Sequence, residues 1–71
     1  MAKQGTHFWF MTIQCMEDGK PAITGCNGHW TPKSGQTRYD VFQEIRREVE
    51  AQQPQTRGGV VVGFDLQSNK L

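Results

Sequence analysis

Two cysteines and two histidines are the side chains in this sequence best suited to bind a metal ion. Structural zinc sites take their ligands from short pairs such as Cys-x-x-Cys or His-x-x-x-His, and neither pair occurs here. In the strand register derived below, Cys15 and Cys26 share a face but lie roughly 13 Å apart along the strands, at about 3.3 Å per residue. That separation disfavours a disulfide as well as a shared metal. We therefore predict no metal site, no cofactor and two small buried thiols.

A catalytic pair is equally hard to assemble from these residues. A cysteine nucleophile needs a histidine within hydrogen-bonding reach, but Cys26 and His29 fall on opposite faces of a strand by parity. Asp40, Glu44 and Glu48 follow one edge of a helix without a facing carboxylate, which is typical of a solvated surface. We therefore predict that the protein is not an enzyme.

Basic residues give little support for nucleic-acid binding. Eight Lys and Arg against seven Asp and Glu leave a formal net charge of +1, too small for a strong positive field. Arg57-Gly58-Gly59 could bind phosphate through backbone amides, but a single copy in a connector is more typical of a flexible loop.

The stretch Thr6–Met16 organises the predicted fold, because it is the densest apolar run in the chain. At the strand period of two it separates into two unlike faces. One face is apolar throughout and the other is aromatic at one end and polar at the other: Trp9, Met11, Ile13 and Cys15 against Phe8, Phe10, Thr12 and Gln14. Such a pattern indicates a central strand.

A hairpin is predicted at Asp18-Gly19, because Asp-Gly favours the positive φ angles of a type I′ turn. This turn sets Trp9 opposite Gly28 on the apolar face, where large residues of the first strand oppose small ones of the second. On the other face it sets Phe8 opposite His29. A turn at Asn27-Gly28 is the alternative. We disfavour it because prolines would interrupt the two short strands that it creates.

One helix and a third strand complete the pattern. Thr37 and Asp40 resemble a capping box, and Pro54 ends the helix near Gln52 or Gln53. A flexible connection over 55–59 then leads to a strand over 60–67. The predicted apolar positions of these elements are Val41, Phe42, Ile45 and Val49 on the helix and Val60, Val62, Phe64 and Leu66 on the inner side of the strand.

The sequence therefore predicts a single α+β domain over residues 1–71, with two layers and the order β-β-α-β. A helix that returns over the sheet places the third strand beside the first, which gives a three-stranded antiparallel sheet in the order 2-1-3 with one helix on one face. The predicted core consists of Trp9, Met11, Ile13, Cys26, Phe42, Ile45, Val49, Val62 and Phe64.

The sheet face that this helix leaves uncovered, the outer face, is the predicted interaction surface. Its proposed contact residues are Phe8, Phe10, Ile23, Asn27, His29 and Val61. An apolar patch rimmed by polar groups is typical of a contact site, so we predict a non-enzymatic protein-interaction module whose partner is a second copy, in a homodimer, or another protein. A second route to self-association is pairing through the edge of the third strand.

Two alternatives remain open for this face. Exposed aromatic residues on a sheet can stack single-stranded nucleic acid, although the predicted face carries no Lys or Arg. A terminus, for example the segment over 66–71, could also fold over Phe8 and Phe10 and remove them from solvent.

The remaining segments suggest a cytoplasmic protein with a short frayed tail over residues 1–5. The first residues lack the apolar core of a signal peptide, and no run of about 18 apolar residues is present to span a membrane.

The first and last strands carry a resemblance to other proteins. His7-Phe-Trp-Phe-Met-Thr-Ile-Gln14 together with Gly59-Val-Val-Val-Gly-Phe-Asp-Leu-Gln-Ser-Asn-Lys-Leu71 looks like a group of small uncharacterised proteins from actinobacteria and their phages. This resemblance implies a cytoplasmic setting and assigns no activity or site.

Overall fold

A computed structural model describes residues 4–71 as a three-stranded antiparallel sheet with one helix packed on one face. The elements in chain order are β1 His7–Glu17, β2 Lys20–Trp30, α1 Arg38–Gln52, a 3-10 turn Pro54–Thr56, and β3 Val60–Ser68. The strands lie in the order β2-β1-β3, so the predicted α+β fold with sheet order 2-1-3 is confirmed.

The hairpin between β1 and β2 turns at Asp18-Gly19, where the φ angles are 52° and 75°. Positive φ at both central residues is the signature of a type I′ turn. The register is the predicted one along the whole hairpin: Trp9 pairs with Gly28 and Phe8 pairs with His29. A Cβ atom on Gly28 would lie only 3.2 Å from the Trp9 ring, so this glycine makes room for the indole.

Helix α1 begins where the capping box predicts. Thr37 Oγ1 accepts a hydrogen bond from the Asp40 amide at 3.1 Å, and the Asp40 carboxylate accepts one from the Thr37 amide at 3.0 Å. The helix ends at Gln52, just before Pro54. Within residues 4–71, no helix combines the length and apolar character needed to cross a bilayer.

The core lies between α1 and the inner side of the sheet. Its buried members are Trp9, Met11, Ile13, Val41, Ile45, Val49 and Leu66, with Cys26, Trp30, Phe42, Val61 and Phe64 packed against them. The Phe42 and Phe64 rings meet edge to face with centroids 4.9 Å apart. The predicted core is confirmed except at Val62, which is 55% exposed.

A β-bulge in β3 explains this error. Thr12 pairs with Gly63 but Ile13 pairs with Val61, so Val62 is an extra residue without a partner. Because of this extra residue, the strand residues before Val62 face the opposite side of the sheet from the side that simple alternation predicts. Val61 therefore packs against the core and Val60 is exposed, the reverse of the prediction for both residues.

The connection between α1 and β3 is structured rather than flexible. Thr56 is fully buried, and its hydroxyl donates to the Gln53 carbonyl at 2.7 Å. Arg46 Nη2 on the helix donates to the Gly59 carbonyl, also at 2.7 Å. These bonds fix the point at which β3 starts.

We expect Gly59→Ala to destabilise the protein by about 1–3 kcal/mol, the usual cost of overpacking. A Cβ atom at Gly59 would lie 2.7 Å from Ile13 Cγ2 and 2.8 Å from the Gln14 carbonyl oxygen. Gly25→Ala is the control, because a Cβ atom there meets nothing within 4 Å. Urea titrations at concentrations that keep the chain monomeric should separate the two variants. Equal midpoints would show that the connector tolerates the methyl group.

The segments that precede β1 and follow β3 meet at the end of the sheet near Trp30. The Gly5 amide donates to His29 Nδ1 at 2.8 Å, and Asn69 Nδ2 donates to the Gly5 carbonyl at 3.1 Å. The Asn69 amide also donates to the Thr6 carbonyl. In the predicted frayed tail, Gly5 is thus held by hydrogen bonds, and Gln4 Oε1 accepts one from Asn69 Nδ2 at 3.1 Å. Residues 1–3 lie outside the described part of the chain.

Candidate protein-interaction face

The outer face is the side of the sheet opposite α1, and all three strands contribute to it. Residue pairing across the sheet groups its side chains into rows, each with a β1 residue in the middle. From the termini to the hairpin, the rows are His29–Phe8–Gln67, Asn27–Phe10–Asp65, Gly25–Thr12–Gly63, Ile23–Gln14–Val60 and Pro21–Met16.

Large apolar side chains are exposed along this face. Phe8 and Phe10 are 44% and 42% exposed, and the exposed fractions of Met16, Ile23 and Val60 reach 60%, 70% and 64%. Single exposed apolar residues are normal on protein surfaces, but several on the same face of one sheet are typical of a contact site.

The terminal segment does not cover these aromatic rings. Asn69 continues the pairing of β3 with β1, since its backbone amide donates to the Thr6 carbonyl, and Leu71 is fully exposed. The alternative in which this segment shields Phe8 and Phe10 is therefore wrong. Both rings face solvent in the single chain.

Most of the predicted contact residues lie together on the outer face. Phe8, Phe10, Asn27 and His29 occupy two adjacent rows in the predicted register, and Ile23 lies two rows further toward the hairpin. Val61 does not belong with them, because the bulge at Val62 turns its side chain toward the core beside Ile13. Val60, which pairs with Gln14, takes its place on this face.

Sequence reasoning missed Asp65 and Gln67 as members of the candidate site. Asp65 pairs with Phe10, and its carboxylate accepts a hydrogen bond from Gln67 Nε2 at 2.7 Å. Their parity relative to Phe64 and Leu66 was sufficient to place them on the outer side. The signal for the bulge was Gly63, since an isolated glycine inside a strand is typical of one.

The outer face has two chemically different halves. Near the termini, Phe8 and Phe10 are flanked by amide, imidazole and carboxylate groups. Near the hairpin, the exposed side chains of Met16, Ile23 and Val60 are aliphatic, and Gln14 lies between Ile23 and Val60 as the polar residue of this half. The row Gly25–Thr12–Gly63 forms a waist of small residues between the halves.

Charge on this face is confined to one carboxylate. Among the described residues of the outer face, Asp65 is the only acid, and neither Lys nor Arg occurs there. His29 accepts the Gly5 amide at Nδ1, so in its neutral form the ring carries its hydrogen on Nε2. The polar half therefore presents donors on β2 and an acceptor on β3.

The cysteines and histidines do not come together as a metal-binding group in the described part of the chain. No group of three His, Cys, Asp or Glu side chains is arranged to hold a metal ion within residues 4–71. Both cysteines are free, and Cys15 Sγ lies 3.9 Å from Thr24 Oγ1.

An open groove beside the end of α1 offers no stronger candidate. It has a volume of about 290 Å³ and runs past Gly28 and Gln52. Trp9 Nε1 is a buried polar atom without a partner among the described residues, but Gly28 lies directly against it.

The outer face therefore remains the best candidate site on its geometry and exposure. No protein-family model, curated protein or solved structure matches this chain.

Proposed function

We propose that the protein is a small non-enzymatic interaction module that associates with a second copy of itself through the outer face. The observation that carries this proposal is the concentration of exposed Phe8, Phe10, Met16, Ile23 and Val60 on one side of the sheet. Fully burying such a side chain contributes about 1.5–3 kcal/mol. Two faces packed together would remove these residues from water in both copies.

The size of the face suits a dimer interface. Strand β1 contains 11 residues. With about 3.3 Å per residue and about 4.8 Å between strands, the face measures roughly 36 by 14 Å, or about 500 Å². Two such faces packed over their full extent hide about 1,000 Å² in total, which is at the lower end for a specific interface. A domain of 71 residues also gains stability from a partner subunit.

Pairing through the edge of β3 is the weaker route to association. Val60 and Val62 are exposed on this strand, which is what an edge strand that pairs with another chain requires. However, the bulge at Val62 interrupts the row of backbone groups that a partner strand would pair with. Bulges are one of the features that protect edge strands from such pairing.

A nucleic-acid-binding role through Phe8 and Phe10 is the second candidate function. Stacking of bases on exposed sheet aromatics favours it. The charge of the face opposes it, because phosphate attraction supplies much of the affinity for nucleic acids and Asp65 would repel the backbone. Lys20, Lys33 and Arg57 lie at most at its margin.

A dilution series followed by two-dimensional amide and methyl NMR tests the proposal. We expect concentration-dependent shifts at Phe8, Phe10 and Ile23, with little change at the exposed helix residue Arg47. The association should persist or strengthen at high salt, because apolar burial drives it. Shifts restricted to the backbone of β3 would indicate edge pairing instead. Shifts produced only by a single-stranded oligonucleotide, and lost steeply with added salt, would favour nucleic-acid binding.

A further inference from the structure

We infer that the two copies pack around a twofold axis parallel to β1, so that β2 of each copy lies over β3 of its partner. This arrangement rests on the proposed self-association through the outer face. It specifies which side chains meet and gives Asp65 a role as a partner-recognition residue.

Two twofold arrangements can bring the outer faces together with the sheets roughly aligned. An axis parallel to the strands keeps each row at its own level and exchanges β2 with β3. The second axis lies in the plane midway between the two sheets but runs perpendicular to the strands. It keeps β2 of one copy over β2 of the other, and it places the hairpin end of one sheet over the terminal end of its partner. The chemistry of the rows distinguishes the two arrangements.

The parallel axis brings complementary groups together in the rows that span all three strands. It places Ile23 over the partner's Val60, which is apolar on apolar. It also places Asn27 over the partner's Asp65, so the amide can donate to a carboxylate that already accepts from Gln67 at 2.7 Å. Phe8 and Phe10 lie on the central strand and therefore meet their own copies near the axis.

The perpendicular axis mismatches the same residues. With the waist row at the centre, Asp65 would lie over the partner's Val60 and Phe10 over the partner's Gln14. A carboxylate buried against valine loses its hydration without gaining a donor. The polar groups of the face thus favour only the parallel axis.

A pair of charge variants tests this contact between copies. In Asn27→Asp, two carboxylates face each other at both symmetry-related contacts, so we expect the dissociation constant of the dimer to rise at least about tenfold. In Asp65→Lys, the pairing with Asn27 is lost and we expect a similar change. An equimolar mixture should form a heterodimer close to wild-type affinity, because the lysine introduced in one variant then faces the aspartate introduced in the other.

Native mass spectrometry of a mixture with one isotopically labelled chain measures the heterodimer directly. Circular dichroism of each variant shows whether it is folded, and Arg47→Glu on the exposed side of α1 is a matched charge control. If the mixture shows no preference for the heterodimer while wild type is a dimer, the axis assignment is wrong. If wild type is a monomer, the proposed function fails together with this inference.

A cross-linking experiment gives an answer even if a charge variant does not fold. The parallel axis brings the two Met16 positions face to face at about 10 Å, the spacing of packed sheets. The perpendicular axis separates them by about 26 Å along the strands, because Met16 lies four residues from the waist at about 3.3 Å each. Met16→Cys should therefore cross-link with a short bismaleimide, against a wild-type background that retains Cys15 and Cys26. A wild-type level of cross-linking in a Met16→Cys dimer would contradict the parallel axis.

Discussion

Replacing Phe10 with Asp should convert the dimer to a folded monomer and raise its dissociation constant at least about 100-fold, which corresponds to roughly 3 kcal/mol. Phe10 lies on the central strand beside Asp65, so each copy would bring a second carboxylate into the middle of the contact. Desolvation of these charges and their mutual repulsion both oppose association. Since Phe10 is already 42% exposed in the single chain, folding should depend on it much less than dimerisation does.

Tyr39→Asp is the matched control for this variant. Tyr39 is also an exposed aromatic residue, but it lies on α1, on the other side of the sheet. We expect its replacement to leave the dissociation constant within a few-fold of wild type. A Phe10→Asp protein that remains dimeric would instead show that the copies associate elsewhere, for example along the edge of β3.

Replacing Ile45 with Ala should lower the free energy of unfolding by about 2–5 kcal/mol. Ile45 is completely buried in the middle of α1, between Val41 and Val49 on the same stripe. Truncation removes apolar contacts and leaves a cavity beneath the helix. Because small domains are only marginally stable, this loss should bring the variant close to unfolding at 25 °C.

Urea denaturation compared with Arg47→Ala measures this effect. Arg47 is exposed on the same helix, and its replacement should change stability by no more than about 0.5 kcal/mol. An Ile45→Ala protein as stable as Arg47→Ala would contradict the position of the core between α1 and the sheet.

The parts of the fold that follow from local signals were predictable from sequence. Asp18-Gly19 fixes the hairpin and therefore the whole register of β1 with β2. Thr37 and Asp40 fix the start of α1. Because these signals involve neighbouring residues, they need no knowledge of tertiary contacts.

The register of β3 was not predictable in the same way. Three consecutive valines fit either face of a strand, so alternation alone cannot show which of them faces the core. The choice depends on tertiary contacts: Gly59 lies close against Ile13, and Arg46 holds its carbonyl. The bulge at Val62 then restores the alternation that carries Phe64 and Leu66 into the core.

The candidate site was predictable where it lies on the hairpin and incomplete where it lies on β3. Phe8, Phe10, Ile23, Asn27 and His29 follow from the Asp18-Gly19 turn. The misplaced Val61 and the missing Val60 both trace to the bulge. Asp65 belongs to the site because it pairs with Phe10, and this pairing depends on the register of β3.

Sedimentation equilibrium of the wild-type protein over a range of concentrations tests self-association most directly. We expect the apparent mass to rise from near 8.1 kDa toward twice that value by high micromolar concentration, and to do so at low and high salt alike. A single species that remains near 8.1 kDa at high micromolar concentration would contradict self-association through the outer face.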